Sequence, residues 1–170
     1  KNSYEDSIVG RFGDTYEPLM ALSFLSIGYP LIYTSNEQGY DHEIEFFEKD
    51  AVKWEDELKY EEFFTELSAL KHNYKSLASS STDLHFLPVT NSHVFSFSRT
   101  SETDSVYYVG NLYYDKIPDV DVELDFENAT CVMHYDGENF DFEDKEVTAQ
   151  DLQKKTYNPY EFYILTTKSE

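Results

Sequence analysis

The chain carries 34 Asp and Glu residues, but a carboxylate does chemistry only beside a second carboxylate or a partner of another type. The candidate partners are restrictive. The five histidines (His42, His72, His85, His93 and His134) show no metal-ligand spacing such as His-Glu-x-x-His, which argues against a zinc site. The acids of "DGENFDFED" lack the EF-hand spacing and its bidentate Glu. A single cysteine, Cys131, rules out an internal disulfide framework; within "ATCVMHY" it reads as a small buried hydrophobe. Asn128-Ala129-Thr130 is a glycosylation sequon, which has meaning only in a eukaryotic secretory protein. Tyr107, Tyr113 and Tyr114 could stack on sugars. With 15 Tyr and 13 Phe, packing in a core or on a sheet face is the expected use of such rings.

One stretch stands apart, "GYPLIYTSNEQG" at 28–39. It is too apolar for a surface loop. The elements around it must explain it. Residues 15–27 are apolar on nearly all sides and read as a buried helix, with Asp14 or Thr15 as N-cap and Pro18 in the first turn. Gly28 suits the C′ position, and Pro30 cannot continue the helix. Leu31–Thr34 then reads as a short strand of the fully covered, parallel kind. A polar loop leads to a second helix at 57–76. Tyr60, Phe63, Phe64, Leu67, Leu70, Tyr74 and Leu77 form its apolar stripe, opposite Glu61, Glu62, Glu66, Lys71 and Lys75.

"SLASSST" at 76–82 is small and polar and marks a boundary. Beyond it come about eight short runs rich in β-formers, separated by turn signals, which predict an antiparallel sandwich. Residues 119–126 alternate strictly, with Val120, Val122, Leu124 and Phe126 facing inward. "DGEN" at 136–139 reads as a hairpin turn.

The net charge of −21 argues against nucleic acid and against an anionic membrane surface, and favours solubility. No apolar stretch approaches the roughly 18–20 residues of a membrane span. The chain opens on Lys1 rather than Met and shows no signal peptide, so it reads as an internal or C-terminal piece of a longer protein. A lone strand of the "LIYT" kind needs neighbours on both sides, which points the same way.

The order of motifs resembles the C-terminal part of the α-amylase family of glycoside hydrolases, over essentially the whole chain. Gly28, Pro30, Ile32, Tyr33, Glu37 and Gly39 match the pattern of that family's last barrel strand, with Thr34-Ser35 in place of Tyr-Gly. "FFEKDAVKW" (46–54) resembles the aromatic pair, Lys-Asp and Trp that follow in the family. "FFTELSALK" (63–71) is similar to its final barrel helix, and "NPYEFYIL" (158–165) to the closing strand of its small β-domain. Lys1-Asn2-Ser3 resembles the residues just after the family's last catalytic block.

The resemblance implies an α/β part followed by an all-β part. Residues 1–78 would end a TIM (β/α)8 barrel with its penultimate helix, last strand and last helix. Residues 79–170 would be an antiparallel β-sandwich covering it. It implies a retaining hydrolase of α-glucans such as starch and maltodextrin. Its catalytic carboxylates would lie upstream, so none is assigned to this chain. The loop after the last strand would open on the active-site face. Lys1, Asn2, Tyr33 and Glu37 are therefore the candidate substrate-binding residues, with bracing of the barrel rim as the alternative for Tyr33 and Glu37. No metal or cofactor is assigned here; calcium, bound by some family members, would sit elsewhere in a full-length protein. The expected partner is an α-glucan, with no nucleic acid and no membrane insertion. Compartment stays open, with secretion or a periplasmic location fitting a full-length protein. Two other functions remain: a non-catalytic relative, such as the ectodomain of an amino-acid transporter heavy chain, or a carbohydrate-binding β-module.

Overall fold

The computed structural model describes residues 7–168 apart from Ile44 and Phe46. A short helix, α1 (Ile8–Phe12), is capped by Ser7, whose Oγ accepts from the Gly10 amide at 2.8 Å. It runs through a 3₁₀ turn (Gly13–Thr15) into α2 (Tyr16–Leu25). Thr15 holds the cap position but does not cap. Its hydroxyl donates to the Phe12 carbonyl instead, because the preceding turn already supplies helical backbone. Ser26 ends α2, two residues ahead of Gly28, so Gly28 is not at C′.

The expected buried strand at 31–34 does not form. The segment has no regular structure at 31–33, enters a turn at Thr34 and pairs with no described strand, and Leu31 is 81% exposed. A strand of this type exists only through ladders on its flanks, and none of the described strands reaches it.

Helix α3 (Glu61–Asn73) follows the apolar stripe closely, burying Phe63, Phe64, Leu67 and Leu70. Glu61 and Glu62 in its first turn and Lys71 and His72 in its last oppose the helix dipole. It starts later than 57 because residues 58–60 form a turn tied elsewhere: Tyr60 N–H donates to the Glu37 carbonyl at 2.7 Å.

The rest is sheet. The strands are β1 (His85–Phe86), β2 (Val94–Thr100), β3 (Asp104–Asn111), β4 (Ile117–Val120), β5 (Asn128–Tyr135), β6 (Phe140–Asp141), β7 (Lys145–Thr148), β8 (Lys155–Tyr157) and β9 (Phe162–Lys168). A seven-stranded antiparallel sheet has the order β1-β2-β3-β9-β5-β6, with β7 also on β5. β4 and β8 make a separate two-stranded ribbon. The result is antiparallel as expected, but its second layer is a ribbon rather than a full sheet.

Both faces of the main sheet are covered, which is why β9 reads as a nearly unbroken apolar run. Phe97, Tyr108, Met133, Phe162 and Ile164 pack against Phe24, Phe63, Phe64 and Leu67 of the helices. On the other face Val94 and Val109 meet Ile117, Val120 and Tyr157 of the ribbon. Tyr107, Cys131 and Leu165 pack around Leu152. Burial pushes the Cys131 thiol up to about 11, so it behaves as a hydrophobe.

The alternation at 119–126 holds in burial but not in pairing. Val120 and Val122 are buried, yet the ladder of β4 stops at Val120, and Val122 makes only an isolated bridge to Val89. Within β4, Pro118 supplies no amide donor and Asp119 sits at φ 51, in the left-handed region, and the register with β8 shifts between Ile117 and Val120. The 136–139 hairpin forms as expected: Gly137 takes φ 102, and Asp136 Oδ1 accepts from the Glu138 and Asn139 amides.

Two buried side chains fasten the helices to the sheet. Arg99 on β2 is fully buried and donates to three carbonyls: Asp83 (2.5 Å), Leu25 at the end of α2 (3.0 Å) and Ser81 (2.8 Å). Asp104 on β3 accepts from the amides of Lys75 and Ser76, at 3.1 and 2.9 Å, and so caps the turn after α3.

Candidate functional site

The loop that follows 31–34 is a small, tightly specified structure. Ser35 (φ 67) and Gly39 (φ 64) bracket a 3₁₀ turn at Asn36–Gln38. Serine tolerates the left-handed region less well than glycine, so the contacts around it must hold it there. A Cβ at Gly39 would lie 2.7 Å from Cε2 of Tyr60, so only glycine lets that ring close on the loop.

Alternate side chains of the turn point into the protein. The Asn36 amide donates to the Tyr16 hydroxyl at 3.0 Å. The Asn36 carbonyl lies at the same distance from that hydroxyl and can accept from it. Gln38 spans the loop to the segment before α3, donating to the Lys53 carbonyl at 2.9 Å and accepting from the Glu55 amide at 3.1 Å. Between them Glu37 is half-buried. Its carbonyl accepts from Tyr60, while its Oε2 is buried without a partner among the described residues.

Beneath the loop lies a second layer. Tyr60 donates to Glu17 Oε1 at 2.6 Å, and Lys59 Nζ lies 2.7 Å from the Tyr60 hydroxyl and 3.9 Å from Glu17. The rings of Tyr16 and Tyr60 are 5.0 Å apart. Burial, then the hydrogen bond and charge of Glu17, pushes the Tyr60 hydroxyl far above its ordinary range. Burial likewise raises Tyr16, against the Asn36 hydrogen bond and with help from the charges of Glu17 and Glu37. Neither phenol can serve as a nucleophile or base at neutral pH; both are fixed donors.

Tyr33 and Glu37, two of the residues predicted to face substrate, thus stand on one loop. Tyr33 is 46% exposed, and its carbonyl accepts from the Asn36 amide at 3.1 Å. Lys1 and Asn2 lie outside the described residues. Sequence reasoning missed the layer of Tyr16, Glu17 and Tyr60. A signal was present: Glu17 lies in an apolar helix, and a buried carboxylate needs a donor.

A second cluster surrounds Glu161, which is 2% exposed. It accepts from Tyr163 (2.6 Å) and the Asn158 amide (2.6 Å), and lies 3.1 Å from His134 Nε2 and 3.4 Å from Lys155 Nζ. Burial alone would raise its pKa. The hydrogen bonds and the Lys155 charge outweigh that and hold the carboxyl below the usual range. This cluster fixes the turn into β9. Of the three tyrosines singled out for stacking, Tyr107 is buried against Phe126, Tyr113 is half-buried and Tyr114 is exposed. Among the described residues no helix is long and apolar enough to cross a membrane.

Solved structures share this fold. A maltogenic amylase from S. marinus matches 98% of the chain at a TM-score of 0.62 and 15% identity. A noncanonic maltogenic α-amylase from Thermotoga neapolitana matches 93% at a TM-score of 0.63 and 14% identity. A debranching enzyme from Nostoc punctiforme matches 98% at a TM-score of 0.63 and 19% identity. The chain spans 22%, 37% and 34% of those chains, respectively. No protein-family model and no curated protein matched. The chain therefore has the fold of a part of amylase-family structures, and the mostly antiparallel sheet is the portion of the expected architecture it displays.

Proposed function

We propose that the chain is the C-terminal portion of an α-amylase-like glycoside hydrolase acting on α-glucans, with residues 31–34 as the last strand of its (β/α)8 barrel. One observation carries this reading. An apolar segment lies between two helices, exposed and without a strand partner among the described residues, with Tyr29 86% and Leu31 81% accessible. Phe47 and Trp54 add to this apolar surface. Exposed apolar surface of this kind marks a contact with something else, and parallel strands on either side would cover it. The fold likeness to amylases across nearly the whole chain supports the same reading.

In this reading residues 1–78 complete the barrel and residues 79–170 form the β-domain that covers its helices. The retaining mechanism uses two carboxyl groups about 5–5.5 Å apart, one as acid/base and one as nucleophile. Both lie on earlier strands, upstream of Lys1. The residues present here would shape the active-site face: Tyr33 and Glu37 on the loop after the last strand, Lys1 and Asn2 after the preceding one. The buried layer of Tyr16, Glu17, Tyr60, Asn36 and Gln38 would hold that loop at a fixed height, a requirement for sugar contacts aligned with a reacting bond.

The test is a hydrolysis assay on a protein extended upstream by the roughly 250 or more residues of a whole barrel. The extended protein should cleave maltooligosaccharides with retention at the anomeric carbon, and the 170-residue chain alone should not. A folded extended protein without hydrolase or transferase activity on any α-glucan would contradict the proposal and favour the non-catalytic alternative.

A further inference from the structure

We propose that the cleft between the β3–β4, β5–β6 and β8–β9 connections binds a short α-glucan. The cleft is a cavity of about 600 Å³ lined by Tyr114, Lys116, Asp136, Glu138, Asn158 and Tyr160, with Asp14 from the helical side. A neighbouring cavity of about 490 Å³ shares Asp14 and Glu138 and is also lined by Glu17, Lys59 and Tyr60.

Its walls are fixed before any ligand arrives. The buried Asn111 amide donates to the Asp115 carbonyl at 2.9 Å and the Asn158 carbonyl at 2.8 Å, joining two of the three connections. Asn158 in turn donates to the Asp136 carbonyl at 3.2 Å, joining the third. A Cβ at Gly137 would stand 2.5 Å from the Pro159 carbonyl oxygen, so the β5–β6 turn and the β8–β9 connection are in direct contact.

Tyr114 is 62% exposed yet is not loose. Its ring lies 4.1 Å from that of Tyr113, and the two hydroxyls are hydrogen-bonded at 2.8 Å. Tyr113 is itself stacked on His93 at 4.0 Å. The Tyr114 ring, tilted at 41° against Tyr113 and tied to it through the hydroxyl, is an exposed platform with reduced side-chain freedom to lose on binding. Tyr160, held at φ 60, supplies a second ring on the same cleft.

The chemistry of the walls selects the ligand. Flat rings take the C–H face of a sugar, and carboxylates and backbone carbonyls accept its hydroxyls. Asp14, Asp136 and Glu138, in a chain of net charge −21, repel anions. Buried Glu17, engaged at Oε1 by Tyr60, adds a carboxylate to the lining of the neighbouring cavity. A neutral, hydroxyl-rich chain of sugars fits this combination. Its assignment as an α-glucan rests on the proposed function.

The experiment is a titration of the protein with maltoheptaose, read on tyrosine ring resonances by NMR. The Tyr114 and Tyr160 resonances should shift in a saturable way. Tyr114→Ala should weaken binding about threefold to tenfold, with an unchanged melting temperature because the ring is exposed. No saturable shift, or equal binding by Tyr114→Ala, would overturn the proposal. So would shifts produced by calcium chloride alone and not by the sugar, since the cleft would then be a cation site. The hydrolysis assay above uses no residue of the cleft, so it separates failure of this inference from failure of the family reading.

Discussion

Glu17 and Tyr60 show how single side chains can set the position of a whole loop. Their hydrogen bond joins residues 43 apart, and both groups are buried. Tyr60→Phe removes the donor and leaves a buried carboxylate short of a partner, so it should destabilise the protein by about 1–3 kcal/mol in urea unfolding. Glu37 behaves differently. Its buried Oε2 has no described donor, so Glu37→Gln costs no hydrogen bond there and should leave the melting temperature of this chain unchanged or raised. If Glu37 faces substrate in the extended enzyme, the same variant lowers turnover there; unchanged turnover with a lowered melting temperature of the extended enzyme assigns it to bracing. Glu161 and Asp104 are the buried carboxylates that contribute to acid sensitivity. Burial opposes ionisation of both. Hydrogen bonds to the ionised forms prevail and hold both carboxyls below the usual range. A folded-state pKa below the unfolded one makes stability full above the unfolded value, about 4, and lost as pH falls through the folded value. Unfolding followed from pH 7 downward should show this loss starting near pH 4, and Glu161→Gln should flatten it.

Among the elements, Arg99 joins three parts of the chain: strand β2, the end of α2 and the connection at 81–83. Arg99→Met fills similar volume but leaves three carbonyls without their donor. It should cost at least about 3 kcal/mol. Lys should rescue little, since one ammonium cannot reproduce the planar fork. The contrast between legible and illegible elements is physical. Helix α3 could be read from its stripe, and the 136–139 hairpin from its turn residues, because both are set by neighbours within a few positions. Strand β8 has little signal in the sequence, since "KTY" carries only one apolar residue and its strand state comes from pairing with β4. Arg99 was equally silent. A cation on a strand suggests an outward face, and the carbonyls that reverse this come from distant chain. In the candidate loop Tyr33 and Glu37 are singled out only by a family resemblance, whereas the phenol–carboxylate layer that holds the loop required the fold.

At the scale of the whole molecule, the chain divides its apolar residues unevenly. The sheet is covered on both faces, and the helices bury their stripes against it. Tyr29, Leu31, Phe47 and Trp54 remain outside that economy. In the proposed function, segment 31–34 is a strand whose partners belong to earlier parts of a barrel. Leu31→Asp should accordingly leave the stability of the 170-residue chain within about 0.5 kcal/mol, and should destabilise an upstream-extended protein by several-fold more. Amide hydrogen exchange at Leu31, Ile32 and Tyr33 tests the central claim most directly, because protection reports the ladder itself. In the 170-residue chain these amides should exchange as freely as exposed loop amides. In the extended protein they should be slowed on the order of a thousandfold. Equally fast exchange in both proteins would contradict the assignment of this segment to a barrel.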